Sequence, residues 1–147
     1  MRKYLFVATI LVSFQTSFSQ YDYSKPIRKQ IDSLKKVLPA LKGTHKVDCL
    51  NHLVWKYFDG SLGSWQAEAD SARPYAIQAN KEAKRIGYKK GLGDSYVNLE
   101  TIDCMMFGTY AQGQKRFDNT TFNSAQQNAK DAISIGEEIK DYRILGE

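Results

Sequence analysis

Only two cysteines, Cys49 and Cys104, occur in the 147 residues, too few for a disulfide-dense scaffold. Three prolines and ten glycines exclude collagen-like and Pro/Gly-rich low-complexity chains. Histidine is limited to His45 and His52, which read as surface or packed side chains, so no metal site is expected. No H-E-x-x-H, no G-x-S-x-G and no G-x-x-x-x-G-K-[ST] occurs, which leaves no zinc helix, serine elbow or phosphate cradle. Neither a catalytic role nor a cofactor is therefore expected. Gly87, Gly91 and Gly93 around Lys89-Lys90 read as a turn between helices. The apolar run Tyr4 to Phe14 stops at Gln15, short of the roughly 20 residues a membrane span needs.

Charge of one sign is also scarce. The formal net charge is +5, from 21 basic and 16 acidic residues, and Arg2 and Lys3 supply two of those bases. The remaining bias is too small to argue for nucleic acid.

What the sequence does contain begins with an export pattern. Arg2-Lys3, the apolar run and the small residues Ser17 and Ser19 form the three parts of a secretory signal, so residues 1–19 read as a signal peptide cleaved after Ser19. No cysteine stands at that site to take a lipid, and the chain is expected to be exported and periplasmic. Residues 20–26 form a polar lead, and 27–147 form one helical region.

Ile27, Ile31, Leu34, Leu38 and Leu41 recur at spacings of four and three, one stripe of an amphipathic helix that Pro39 and Gly43 end. Val47 to Phe58 predicts a second helix, broken by the turn residues 59–64. Asp70-Ser71 predicts the cap of a third, with Ala72, Ala76, Ala79, Ala83 and Ile86 on one face. Were it to start at Trp65 instead, Pro74 would kink it. Gly91 to about Met106 and Ser124 to Ile139 predict two more, separated by a polar loop from Gly108 to Asn123. No window shows sustained strand alternation, so the fold class is all-α.

The chain also repeats itself. A gap-free shift of 53 residues lays Ser71-Ala72 on Ser124-Ala125, Ala76 on Ala129, Ala79 on Ala132 and Ile86 on Ile139. A shift of 46 lays Leu50 and Leu53 on Tyr96 and Leu99. Each unit is a helix pair, and alanines three and four apart let a neighbouring helix approach closely.

The S-A-x-x-x-A-x-x-A of Ser71 to Ala79 and Ser124 to Ala132, with Tyr96-x-x-Leu99, resembles the tetratricopeptide repeat. Ala83 to Leu92 leading into Tyr96-Val97-Asn98-Leu99, and the opening Ile31-Asp32-Ser33-Leu34-Lys35, are similar to the exported repeat regions of Bacteroidetes-type sensor histidine kinases and regulators. The resemblance spans about residues 27 to 147. It implies stacked antiparallel helix pairs, an α-solenoid of about two repeats plus an N-terminal helix. The spacings of 46 and 53 exceed the family's 34, Glu100 stands where a small residue is usual, and Lys140 replaces the usual proline. Tyr142 to Glu147 matches the opening of a first helix, Lys89 to Asp94, so the array is expected to be truncated there.

The resemblance implies a groove lined by the first helix of each pair. Asp48, Asn51, Trp55 and Phe58 would supply one wall, and Asp94, Val97, Asn98 and Thr101 the next. Trp55 is the best single anchor, with core packing as its alternative. The expected partner is a peptide or protein segment. The alternative reading is the periplasmic sensory portion of a signalling protein with its output domain beyond Glu147. Cys104 aligns with position 58, nine residues or about 13 Å of helix beyond Cys49, so two free, buried thiols are expected. Asn119-Thr120-Thr121 is a glycosylation triplet, meaningful only in a eukaryotic secretory pathway.

Overall fold

A computed structural model describes residues 24–59, 65–111 and 119–145. The expected signal peptide and most of the polar lead lie outside these residues. Six α-helices carry the described chain, with no strand among those residues: α1 (Ser24–Val37), α2 (Gly43–Asp59), α3 (Trp65–Ile86), α4 (Lys89–Ala111), α5 (Asn119–Ile139) and α6 (Tyr142–Leu145). Each helix packs on its neighbour in sequence, giving an all-α fold of adjacent pairs, α2 with α3 and α4 with α5. The first helices of successive units also touch, α2 against α4 and α4 against α6.

The apolar stripe of α1 forms but covers little. Ile31 is buried, while Ile27 and Leu34 are partly buried against the core. Pro39 turns the chain through a 3₁₀ segment, Leu38–Ala40, closed by the Leu41 amide on the Leu38 carbonyl at 3.2 Å. Gly43, at φ +59°, then takes the left-handed geometry that opens α2. On α2, Val47, Leu50, Leu53 and Val54 are fully buried.

The alanine stripe organises the fold. Ala69, Ala72, Ala76, Ala79 and Ala83 alternate spacings of three and four along α3, and each has no exposed surface. A single methyl at every contact point lets α2 and α4 close on α3 from both sides. Ala69 adds one turn to that stripe, which is why α3 begins at Trp65 and not at Asp70. Helix α3 continues through Pro74, where the carbonyl of Asp70 loses its partner; both residues are exposed, so water can serve it. The expected loop from Gly108 to Asn123 is shorter, because α4 runs on to Ala111 and α5 starts at Asn119.

Both second helices end in the same way. Gly87 (φ +68°) follows α3 and Lys140 (φ +55°) follows α5, at positions 53 apart. The amide of Tyr88 bonds the Ala83 carbonyl at 3.0 Å and that of Gly87 the Lys84 carbonyl at 3.3 Å. Asp141 and Lys140 repeat this on Gly136 and Glu137 at 3.0 and 3.4 Å. These are two Schellman caps, one built on glycine and one on lysine. The sequence repeat is therefore also a repeat of backbone geometry.

Buried polar groups fix the register between helices. Asp103 on α4 accepts from Arg73 on α3 at 2.7 Å, and from Ser124 and Asn128 on α5 at 2.8 and 3.2 Å. Asn80 on α3 donates to Ser95 on α4 at 3.0 Å. Asn51 on α2 donates to the Gly91 carbonyl at 2.9 Å and accepts from Asn98 at 3.0 Å.

Both thiols are free, but only Cys49 is buried; Cys104 is exposed. The expectation of two buried thiols fails at Cys104, where no helix of the described residues lies over that side of α4 as α4 lies over Phe58. His45, Cys49 and His52 follow helical spacing on α2, yet both histidines are exposed while the Cys49 thiol points to the Leu34 carbonyl of α1. Among the described residues, no three His, Cys, Asp or Glu side chains are grouped to hold a metal ion.

Candidate binding cleft

Helices α2, α4 and α6 converge around an open depression of about 460 Å³. Asp48, Asn51, His52, Trp55 and Lys56 line it from α2, Lys90 and Asp94 from α4, and Arg143 from α6. Three successive first helices thus contribute to one surface. Shifts of 46 and 53 residues carry Asp48 onto Asp94 and Lys90 onto Arg143, so the wall repeats an acid and a base in register.

Of the residues expected in the groove, Asp48, Asn51, Trp55 and Asp94 line the depression. Trp55 is 47% exposed, which rules out core packing for it. Phe58 instead belongs to the buried apolar cluster with Leu53, Val54 and Ile102. Asn98 is 1% exposed and ties α4 to Asn51. Val97 and Thr101 are half-buried and lie outside the depression. The spacing of three and four put each set on one face, but that face is wide, and the edge holding Phe58 and Asn98 turns into the helix contact.

Lys90 and Arg143 were not legible as site residues, since Lys89-Lys90 looks like any solvated turn. Only the 53-residue register that pairs Lys90 with Arg143 marks it out. Gly91 brings α4 onto α2 beside them: a Cβ there would stand 2.5 Å from Val47 Cγ1.

Charges on the rim are locally paired. Lys90 Nζ donates to Asp94 Oδ2 at 2.8 Å, and this bond holds the Lys90 ammonium above its ordinary pKa. Arg143 donates to Asp141 at 2.7 Å and Lys56 to Asp59 at 2.7 Å. The Tyr88 phenol is pushed up by burial first, then by its hydrogen bond to the Asp48 carboxylate. Asn51 has both ends of its amide engaged, so it positions α4 against α2 more than it offers itself to a ligand. What remains for a ligand is the exposed Trp55 face, with acids and bases that can exchange partners around it.

No helix of the described residues is long and apolar enough to cross a membrane. No protein-family model, no curated protein and no solved structure matches the chain, so the reading of the cleft rests on its own residues.

Proposed function

We propose that this chain is an exported helical-repeat binding module of the tetratricopeptide class, without catalytic activity of its own, holding a peptide or protein segment in the α2/α4/α6 cleft. The observation that carries this reading is the in-register arrangement of Asp48 with Asp94 and Lys90 with Arg143 around the exposed Trp55. A packing surface needs no repeat of charge, whereas an extended ligand crossing successive helices meets each unit in turn. Trp55 supplies a large rigid contact at small entropic cost, and the charge rows supply direction.

The test is selection of phage-displayed random peptides on the full chain, followed by affinity measurement on two variants. Trp55→Ala should weaken selected peptides by about 2 kcal/mol or more, as hot-spot aromatics do, with helicity unchanged. Lys90→Glu should change affinity and salt dependence together. Selected peptides indifferent to both changes would place the binding surface elsewhere.

A further inference from the structure

A separate depression, of about 270 Å³, opens where α1 lies on α2 without its backbone reaching α3. Arg28, Asp32 and Lys35 of α1 and Glu68 of α3 wall it, over a floor of Ile27, Ile31 and Tyr57. Ile31 and Tyr57 are buried and Ile27 is half-buried, so the floor is apolar. Lys35 spans the gap. Its ammonium lies over the Tyr57 ring at 5.3 Å and the Tyr75 ring at 5.9 Å, and the two rings stack with centroids 6.0 Å apart. A hydrogen bond to Tyr57 holds this lysine above its ordinary pKa. The base is therefore committed to the tyrosines.

The other three charges are not committed. Every other buried or half-buried acid of the described residues accepts a hydrogen bond from a neighbouring side chain. Glu68, half-buried on α3, accepts none among those residues. Arg28 and Asp32 stand one turn apart on α1, yet they form no ion pair, and a base four residues before an acid is the weaker order for one. One unpaired guanidinium and two unpaired carboxylates thus surround an apolar floor. Counting Lys35, two bases face two acids, so a ligand without net charge fits the wall best.

From this we infer that the gap between α1 and α3 is a binding site for a free amino acid with an apolar side chain. Its ammonium is held by Glu68 and Asp32, its carboxylate by Arg28, and its side chain lies on Ile27, Ile31 and Tyr57. A simple amine would leave the guanidinium without a partner, and a simple acid would leave both carboxylates without one; a zwitterion serves both signs. A bound ligand ties α1 to α3, which the backbone itself does not do. The site shares no lining residue with the α2/α4/α6 cleft and does not depend on it.

The probe is leucine, titrated by chemical-shift mapping into the ¹⁵N-labelled full chain, with leucinamide and N-acetylleucine as the two half-charged comparisons. Saturable binding of leucine is expected, and each comparison should bind several-fold more weakly, since each gives up hydrogen bonds to a charged group. Arg28→Gln should lower leucine to the level of leucinamide while leaving leucinamide itself unchanged. Glu68→Gln should lower leucine and leucinamide and leave N-acetylleucine unchanged. Both substitutions change polar groups at the surface of the gap, and circular dichroism checks that each variant keeps its helicity. Saturating leucine should also slow hydrogen exchange of the α1 amides about threefold or more, and Trp55→Ala should leave its binding unchanged. Three results would each overturn the inference. One is no saturable binding of leucine. Another is equal binding of all three probes, which would mark an apolar crevice only. The third is a stability cycle in which Arg28 and Glu68 couple strongly while neither substitution alters leucine binding, which would make them an ion pair across the gap.

Discussion

Asp103→Ala is the substitution through which the interior of this fold is best examined. The carboxylate is 4% exposed by side chain and holds Arg73 of α3 together with Ser124 and Asn128 of α5. Three helices therefore share one acceptor. Removing one partner of a fully buried pair costs about 3–5 kcal/mol. Arg73 is 34% exposed and Ser124 is exposed, so both donors can recover water and the cost falls below that range. We expect about 2–3 kcal/mol, near the value of hydrogen bonds to a charged group plus the lost packing of the side chain. For a domain of this size that is a fall in Tm of roughly 10 °C. Asp103→Asn keeps the volume and one acceptor oxygen and should lose about half as much. Urea denaturation followed by far-UV circular dichroism gives the free energies. A double-mutant cycle with Arg73→Ala isolates the pair and should show coupling of about 1–2 kcal/mol. A Tm lowered by less than about 3 °C in Asp103→Ala would refute the reasoning, because the carboxylate would then not be holding the three helices.

Lys140→Gly should stabilise the chain by roughly 0.5–1 kcal/mol, since lysine at φ +55° bears a strain that glycine lacks; Gly87→Ala should lose a similar amount, and both are read from thermal melts. Gly91→Ala should cost about 1–3 kcal/mol, because its new Cβ meets buried Val47, and an unchanged melt would mean α2 and α4 are farther apart than described. Cys104 is exposed, yet partial desolvation of its thiol, reinforced by the Glu100 carboxylate it donates to, pushes its pKa up to about 11. Its alkylation at pH 8 should therefore run one to two orders of magnitude slower than that of a thiol at the ordinary value, with the rate still rising above pH 9. Glu100→Gln should speed it, and mass spectrometry of the labelled chain measures both.

Much of this architecture was legible because alanine spacing reports helix contact directly. Ala72, Ala76, Ala79 and Ala83 marked the stripe of α3, and a gap-free shift carried it to α5. The start of α3 was not legible. Asp70-Ser71 has the chemistry of a cap, but burial of Ala69 outweighs it and carries α3 back to Trp65. Asp48, Asn51, Trp55 and Asp94, expected from the resemblance, line the depression. Phe58 and Asn98 were misplaced, since periodicity assigns a face and not its depth. Lys90 and Arg143 were missed because a basic turn residue gains meaning only when its repeat partner stands beside it.

Chemical-shift mapping on the ¹⁵N-labelled full chain, titrated with a peptide selected from the displayed library, tests the binding-module reading most directly. The account predicts that the perturbed amides cluster at Asp48, Trp55, Lys90, Asp94 and Arg143, that the Trp55 indole moves more than that of Trp65, and that Trp55→Ala removes the pattern. Shifts confined to Trp65 and Ile77 on the outer side of α3, persisting in Trp55→Ala, would contradict it.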